Sequence, residues 1–425
     1  MTLQKRAYGR PLCYLLLTMA AGLVLYHSLA GGTLLDHSPY DSYSLLAQHW
    51  LGGTLYLPDG ANRPWLELAI YNGRYYISFP PVPGVLALPW VLLCGDAAAV
   101  PSHLVVGLYG MAGAAGVYCL FARRGYTPAA CVWWAAVCTA GSNLLWMSTN
   151  GGVWFAAQAA NFALLAWGLC FAAGHTVAQN TAAAFCMALA VGCRPFSILV
   201  LAAYMLLLLV ETGTEPVEYV VVNSPRPEPE GQFLRLKMPG AAFWLAFAAA
   251  AVVGSALAAY NMARFGSPLE FGHTYLPEFH REELGQFHPA YLWPNLLQLL
   301  RPVGFTPQLD LQFPVFNGFL FAAANPVFFW WFVRLAGKVY RRRFTPVDAL
   351  ALAGFGGGLL ALCLHRTLGG WQFGARYTVD LIPFVLLAES RSADGARRSL
   401  RDWEWLLCAL AVLFNAYGAV YMLSH

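Results

Sequence analysis

The residues that can carry chemistry in this chain lie in short polar stretches between long apolar segments. Asp36 and Asp41 follow the first apolar segment. Arg74, Arg194 and Arg376 lie next to later ones. A carboxylate can take the proton of an attacking hydroxyl, and guanidinium groups bind phosphate through paired hydrogen bonds. The set suits group transfer from a phosphorylated donor, although the aspartates could instead cap helices and the arginines could be headgroup anchors.

Aromatic side chains and one histidine in the same polar stretches are candidates for holding a substrate. Aromatic rings can stack on the apolar face of a sugar, but Tyr and Trp at the ends of spans also form the interfacial belt of membrane proteins. The candidate substrate contacts are Tyr43, Tyr75, Tyr76, His273, Trp371 and Tyr377.

Metal and nucleotide chemistry have no support in the sequence. The ten cysteines are scattered, without a CxxC pair or the Cys/His spacing of a zinc site. Neither a GxGxxG nor a GxxxxGK[ST] phosphate loop occurs, which argues against a nucleotide-driven enzyme. We therefore predict no metal ion and no cofactor, with any phosphorylated donor acting as a substrate.

The composition indicates that a membrane positions these residues. Hydrophobic residues make up 59% of the 425 residues and charged residues only 11%, whereas a soluble domain has about 25% charged residues. Apolar segments of about 20 residues cross a bilayer as helices, because every backbone polar group must find its partner internally. We predict an all-α polytopic membrane protein with about 11 transmembrane helices, forming one module over residues 1–425.

Apolar length predicts where the spans lie. They are residues 12–30, 98–121, 128–147, 153–173, 181–193, 196–210, 239–260, 319–337, 346–364, 377–389 and 403–422. Val82–Cys94 is apolar but only about 13 residues long, so we predict an interfacial or re-entrant helix there. Cys193-Arg194-Pro195 interrupts a long apolar stretch, and we predict a turn between two short helices at this point.

The distribution of Lys and Arg predicts the orientation. With the N-terminus cytoplasmic and residues 82–94 not crossing, most of the 25 Lys and Arg residues fall in cytoplasmic segments, as the positive-inside rule requires. Two large extracytoplasmic loops result, 31–97 and 261–318, and the Pro/Glu-rich segment 211–238 is predicted to be a flexible cytoplasmic linker. The candidate residues then share the outer face of the inner (plasma) membrane.

Three stretches resemble the bacterial C-type (GT-C) membrane glycosyltransferases, which are relatives of protein O-mannosyltransferases and aminoarabinose transferases. The first contains Asp41-Ser42-Tyr43, Gly52-Gly53-Thr54, Asn72-Gly73-Arg74-Tyr75-Tyr76 and Phe79-Pro80-Pro81-Val82-Pro83. The second is Asn261-Met262-Ala263-Arg264-Phe265-Gly266-Ser267-Pro268-Leu269-Glu270-Phe271-Gly272. The third is Gly370-Trp371-Gln372-Phe373-Gly374-Ala375-Arg376-Tyr377, continued by Asp380 and Pro383. Their order and their shared outer-face placement support the resemblance.

The resemblance implies sugar transfer from a polyprenyl-phosphate donor to an extracytoplasmic lipid, glycan or protein, with inversion at the anomeric carbon. The family's catalytic aspartate falls early in the first loop, which implies Asp41 as the general base and Asp36 as the alternative. Many relatives have an Asp-Glu pair where this chain has Asp41-Ser42, so the choice between the two aspartates stays open. Arg376 is the implied ligand of the donor phosphate, with Arg194 and Arg74 as further candidates.

Two other functions fit parts of the pattern. A lipid or solute transporter would explain the spans and the arginines, but it predicts inverted repeats, and the sequence contains no clear repeat. A polysaccharide polymerase or ligase also uses lipid-linked sugars and external arginines, without a need for Asp41. Replacing Asp41 by Asn would separate both from transfer by a carboxylate base.

Overall fold

Helices form most of the chain, and a computed structural model describes residues 2–219, 231–280, 284–392 and 400–425. The α-helices of this described part are α1 (Thr2–Leu29), α2 (Ser42–Leu51), α3 (Val82–Cys94), α4 (Ser102–Arg123), α5 (Pro128–Cys138), α6 (Leu144–Met147), α7 (Val153–Ala172), α8 (Val177–Val191), α9 (Ile198–Gly213), α10 (Ala241–Phe265), α11 (Pro277–His280), α12 (Leu292–Leu299), α13 (Phe321–Ala324), α14 (Val327–Tyr340), α15 (Pro346–Leu364), α16 (Ile382–Ser390) and α17 (Asp402–Tyr421).

Seven segments of the described part are long and apolar enough to cross a membrane, so the chain is a multi-pass membrane protein. They are Ala7–Leu29, Ser102–Arg123, Val153–Ala172, Pro195–Gly213, Ala241–Phe265, Pro346–Leu364 and Asp402–Tyr421. Each overlaps one of the predicted spans. The other four predicted spans correspond to shorter or interrupted helices, so the total of about 11 stays a prediction.

Two of those four are interrupted by polar residues that meet in the interior. The chain leaves helical geometry between α5 and α6, and again between α13 and α14, where Pro326 cannot continue the hydrogen-bond ladder. The side chain of Asn325 accepts from Asn143 N at 3.0 Å and donates to Asn143 Oδ1 at 2.9 Å. The two breaks therefore satisfy each other's polar groups away from water.

Loops gather at one end of the bundle, which we call the loop end; it carries residues 31–101, 266–320 and 365–376. The first two segments are joined by the hydrogen bond between His273 Nδ1 and Ser78 O (2.7 Å), and the last two by the one from Asn317 N to Gly370 O (2.8 Å). The opposite end of the bundle carries Arg341, Arg342 and Arg343, and we call it the basic end. Helix α15 begins at the basic end and finishes at the loop end.

Helix α3 begins and ends at the loop end. Its first residue, Val82, donates to Gly192 O at 2.9 Å. Just beyond its last turn, Ala97 N donates to Gln48 Oε1 of α2 at 2.9 Å. With 13 residues, α3 has a length of about 20 Å, less than the hydrocarbon thickness of about 30 Å. The segment 82–94 thus returns the first loop to the bundle surface.

The described residues also form three two-stranded antiparallel sheets. Strands β1 (Leu68–Tyr71) and β2 (Arg74–Ile77) pair with Leu68 opposite Ile77, around the turn residues Asn72 and Gly73, which both have positive φ. Strands β3 (Thr214–Tyr219) and β4 (Gly231–Leu236) pair within the segment predicted as a flexible linker, and residues 220–230 lie outside the described residues. Strands β5 (Gly304–Phe305) and β6 (Leu311–Gln312) belong to the second loop.

Candidate functional site

A cavity of about 320 Å³ opens at the loop end, and we call it the loop-end cavity. The first loop contributes Phe79 and Pro80, and the second loop contributes residues 269–274 together with Gln286 and Phe287. The remaining walls are the 193–196 turn between α8 and α9, the end of α15 and the start of the 376–381 helical turn. Segments far apart in sequence therefore share one cavity with aromatic walls.

Arg194 lines this cavity, and its guanidinium is held in position by neighbouring side chains. Gly192 and Pro195 on either side end α8 and start a new helical turn, so the arginine lies in the bend. Its Nε lies 3.0 Å from Asp380 Oδ2, and its guanidinium lies 4.6 Å from the centre of the Tyr377 ring. Asn161 Nδ2 donates to the other oxygen of Asp380 at 3.1 Å. Asp380 thus orients the arginine while the guanidinium borders the cavity.

Arg376 packs on the same Tyr377 ring, at 4.8 Å, but it does not line the loop-end cavity. Its side chain is buried and donates to Gln158 Oε1 at 3.1 Å and to Gly369 O at 2.7 Å. Its Nε has no hydrogen-bond partner in the described part of the chain. A buried guanidinium with an unused donor is costly, and such groups in native proteins call for an explanation such as a ligand or an ordered water.

Two neutral histidines face the loop-end cavity. His273 Nδ1 lies 2.7 Å from the carbonyl oxygen of Ser78, which can only accept, so Nδ1 carries the proton and Nε2 is an acceptor. Burial lowers the pKa of His273 to about 4. Burial likewise lowers the pKa of His365, whose Nδ1 lies 2.8 Å from Thr367 O. The cavity therefore offers neutral imidazole groups at neutral pH.

Asp41 caps the start of α2 and is almost fully buried, at 5% exposure. Ser44 donates to it twice, from its backbone N at 3.1 Å and from its hydroxyl at 2.6 Å. Burial raises the pKa of the Asp41 carboxyl, while the Ser44 hydrogen bonds act in the opposite direction. His37 lies 3.9 Å away. Asp41 is held in one position and favours protonation more than an exposed aspartate does.

A second, much smaller cavity of about 20 Å³ borders Asp41 and Tyr43. This volume suffices for one water molecule. The buried Tyr43 phenol, which has no hydrogen-bond partner in the described part, interacts electrostatically with Asp41 and with Cys193 and Arg194 of the larger cavity. Tyr43 therefore lies close both to the aspartate and to two residues that line the loop-end cavity.

The other predicted site residues lie outside the loop-end cavity. Asp36 is exposed at the end of a short helical turn, and Arg74 is exposed at the tip of the β1–β2 hairpin, over the Tyr56 ring. Tyr76 packs against Phe265, and Tyr75 borders another cavity. Trp371 Nε1 donates a hydrogen bond to His425 O. Of the predicted set, Arg194, His273 and Tyr377 line the loop-end cavity.

The second sequence motif has a structural role in holding this site. Arg264 near the end of α10 donates to Ile77 O at 2.8 Å and to Asn261 Oδ1 at 3.0 Å. It also packs over the rings of Tyr260 and Phe265. The motif thereby anchors the β1–β2 hairpin to the bundle.

Sequence reasoning missed three polar side chains beside the candidate arginines. Gln158 and Asn161 lie three residues apart in the apolar helix α7, and that spacing on one helical face was the available signal. Glu67 accepts from Trp154 Nε1 at 2.9 Å, and burial raises the pKa of its carboxyl. Its charge also acts on Arg376, a proximity that no sequence pattern indicates. Within the described residues no cluster of three or more His, Cys, Asp or Glu is placed to hold a metal ion.

The fold of this helical bundle is similar to that of a solved structure from the family that the sequence motifs resemble. The chain is similar to ArnT from Cupriavidus metallidurans bound to undecaprenyl phosphate, with a TM-score of 0.52 and 14% identity over 92% of this chain and 61% of that one. It is also similar to the apo oligosaccharyltransferase of Archaeoglobus fulgidus, with a TM-score of 0.43 and 14% identity over 96% of this chain and 56% of that one.

A third solved structure is AglB from Archaeoglobus fulgidus in complex with an inhibitory peptide and a dolichol-phosphate. It matches with a TM-score of 0.44 and 13% identity over 96% of this chain and 56% of that one. The chain thus spans 61% or less of the length of these three structures. The likeness to ArnT is one of fold. No protein-family model matches the sequence, and no curated protein has a significantly similar sequence.

Proposed function

We propose that the protein is a membrane glycosyltransferase that moves a sugar from a polyprenyl-phosphate donor to an acceptor hydroxyl outside the cytoplasm. The observation that carries the proposal is the pair Arg194 and Arg376, which pack on one tyrosine ring beside a cavity at the loop end. The fold of the chain is similar to that of ArnT, whose structure was solved with undecaprenyl phosphate bound, and this similarity supports the proposal.

The donor phosphate is assigned to the Arg194 side of the cavity. Arg194 borders the cavity, whereas Arg376 is buried behind the cavity lining and contacts the shared Tyr377 ring. Arg194 therefore binds the phosphate directly, and Arg376 supplies a second positive charge and positions Tyr377. Guanidinium groups stabilise the negative charge that develops on a departing phosphate. Arg74 is too exposed and too remote at its hairpin tip to be a first choice.

Asp41 is proposed as the general base, with Asp36 as the alternative. The acceptor oxygen attacks the anomeric carbon, the bond from that carbon to the phosphate oxygen breaks, and the phosphate leaves with the bonding electrons. Asp41 takes the acceptor proton. A single displacement of this kind inverts the anomeric carbon. Because burial raises the pKa of the Asp41 carboxyl, the rate is expected to increase with pH as the carboxylate forms.

The sugar is assigned to the aromatic and neutral polar side chains that line the loop-end cavity. Aromatic side chains such as Phe79, Phe287 and Tyr377 provide stacking surfaces, and the neutral side chains of His273 and Gln286 provide hydrogen bonds to hydroxyl groups. Such neutral donors and acceptors match a sugar better than a second phosphate. No metal ion or cofactor is assigned to the reaction.

The loop end is proposed to lie on the extracytoplasmic side of the inner (plasma) membrane. The support is the positive-inside rule, because Arg341, Arg342 and Arg343 lie at the basic end. Cysteines introduced at exposed positions of the two ends, Arg342 and Asp36, provide the check. External labelling of a cysteine at position 342 but not of one at position 36 would reverse the orientation.

Mass spectrometry of glycans and lipid-linked sugars tests the function. Cells with the wild-type protein should contain a glycosylated product that is missing without it, and cells with Asp41→Asn should lose the product and accumulate the lipid-linked sugar. A polysaccharide polymerase or ligase would be favoured by a different result. Polysaccharide chain length would then differ between cells with and without the protein, and Asp41→Asn would be fully active. If neither the glycosylated product nor the lipid-linked sugar changes in amount, a lipid or solute transporter would be the better explanation of the fold and the arginines.

A further inference from the structure

A second large cavity, of about 450 Å³, lies at the basic end between α14 and the start of α17. We call it the basic cavity. None of its lining residues in the described part is acidic. Its cationic lining consists of Arg334, Lys338, Arg341, Arg343 and Arg401.

The floor of the basic cavity is electrically balanced. Lys338 Nζ lies 2.6 Å from Asp348 Oδ1 and 3.2 Å from Glu389 Oε1. Arg334 Nε lies 3.0 Å from Glu389 Oε2. Two buried carboxylates thus offset two cations below the cavity. The exposed Arg341 and Arg401 at its mouth add positive charge beyond this balance, so the cavity attracts an anion.

The surface beside the basic cavity is apolar. On α14, Phe329 and Val333 lie four residues apart and are 57% and 48% exposed. On α17, Trp403, Leu406 and Leu410 lie on one helical face and are 41%, 59% and 55% exposed. In a membrane protein such surfaces face lipid tails, and Trp marks the headgroup level. The basic cavity therefore lies where lipid tails end and headgroups begin.

The basic cavity and the loop-end cavity lie on opposite sides of the membrane. Helix α15 begins beside Lys338, to which Asp348 is bonded, and ends next to His365 of the loop-end cavity. Its 19 residues correspond to about 28 Å, close to the hydrocarbon thickness of a bilayer. A lipid phosphate in the basic cavity would thus belong to the other leaflet from the donor.

We propose that the basic cavity binds the headgroup of an anionic phospholipid from the leaflet at the basic end. Arg341 and Arg401 hold the phosphate at the mouth, and the acyl chains lie along the exposed apolar faces of α14 and α17. The balanced floor of Lys338, Asp348 and Glu389 shapes the cavity. This inference does not depend on the reaction at the loop end.

Thermal unfolding of the full chain in mixed micelles tests the proposal. A maltoside detergent is supplemented with either phosphatidylglycerol or phosphatidylcholine, and the affinity is read from the rise of Tm with lipid content. Phosphatidylglycerol should raise the Tm of the wild type and phosphatidylcholine should not. Arg341→Gln/Arg401→Gln should bind phosphatidylglycerol about 30-fold more weakly, since an arginine near a lipid surface contributes about fivefold.

The matched control is Arg342→Gln, because Arg342 is exposed between two lining arginines but does not line the cavity. It should respond to phosphatidylglycerol like the wild type, and an equal loss in this variant would overturn the site. An equal Tm rise with inorganic phosphate alone would also contradict a lipid ligand. Should the double variant not fold, native mass spectrometry of Arg401→Gln decides. A wild-type number of bound phosphatidylglycerol molecules in that variant would reject the proposal.

Discussion

Lys338 and Arg376 are both buried cations, one at each end of the bundle, and their surroundings differ. Lys338 lies within 3.2 Å of two carboxylates. In the described part of the chain, the guanidinium of Arg376 donates hydrogen bonds only to the neutral acceptors Gln158 Oε1 and Gly369 O, and its Nε has no partner. Removing one partner of a buried ion pair is strongly destabilising, whereas an uncompensated charge is itself a cost that function can justify.

The difference separates stability from ligand binding. The basic end uses buried charge to fix α14, α15 and α16 to one another, because Lys338 joins side chains from two other helices. The loop end keeps hydrogen-bonding capacity unused next to an open cavity. We therefore expect substitutions in the buried ion network of Lys338 to lower stability and substitutions around Arg376 to lower activity.

The largest expected effect is on catalysis at the loop end. Asp41→Asn retains a side chain that caps α2 but cannot take a proton, so the transfer rate is expected to fall by about 10²–10⁴-fold. Asp96→Asn is the matched control, because exposed Asp96 also caps a helical turn, by accepting from Ala98 N. Rates with a lipid-linked sugar donor provide the measurement. A wild-type rate for Asp41→Asn would remove this carboxylate from the reaction.

The next largest effect is a loss of stability when Lys338, the cation paired with two carboxylates, is replaced. Lys338→Met leaves Asp348 and Glu389 short of a partner, so the free energy of unfolding is expected to fall by about 3 kcal/mol. Arg376→Met removes a charge without a carboxylate partner and should cost less stability while it weakens donor binding. Thermal unfolding in detergent compares the two variants, and Lys338→Met/Asp348→Asn should recover part of the loss. Equal losses from both single substitutions would remove the distinction between the two ends.

Acid should act on the loop end through His273. Its pKa is about 4 in the folded chain and about 6.5 when unfolded, so the unfolded chain binds more protons between these values. The stability that neutral His273 contributes is present above about pH 6.5 and is lost as pH falls towards 4, by about 3 kcal/mol at most. His273→Gln should flatten the dependence of Tm on pH in this window. An unchanged dependence would show that other groups cause it.

The smallest expected effect tests the packing around Arg376. Gly369 and Gly370 both have positive φ, at 111° and 64°, so an alanine at either position should cost about 1–2 kcal/mol. A Cβ on Gly369 would lie 2.9 Å from Arg376 Nε, whereas a Cβ on Gly370 would meet nothing within 4 Å. Gly369→Ala should therefore also weaken donor binding, and Gly370→Ala should not. Equal donor affinities in the two variants would argue against a role for the Arg376 position.

Hydropathy predicted much of the fold because lipid imposes simple rules on length and polarity. The predicted spans 153–173 and 346–364 match α7 and α15 to within one residue, and the short segment 82–94 matches α3. The segment 128–147 is not one continuous helix, because Thr139, Ser142 and Asn143 bond within the interior where the helix breaks. Polar residues inside an apolar run find partners that hydropathy does not reveal.

The candidate site was less predictable than the fold. The sequence selected Arg194, His273 and Tyr377, which line one cavity, because each stands out at the end of an apolar segment. It did not rank Arg194 above Arg376, since exposure to the cavity depends on how Asp380 and Tyr377 pack. The general base stays a prediction, because Asp41 borders a separate small cavity.

Binding of undecaprenyl phosphate to the purified full chain tests the central claim most directly. Native mass spectrometry can compare this lipid with undecaprenol, which lacks the phosphate, in the wild type and in Arg194→Gln/Asp380→Asn, where the charge stays balanced. We expect the wild type to prefer the phosphate and the double variant to bind it about 10- to 100-fold more weakly, as for the loss of a charged hydrogen bond. Equal binding of both lipids by the wild type, or an unchanged affinity in the double variant, would contradict a donor phosphate at Arg194.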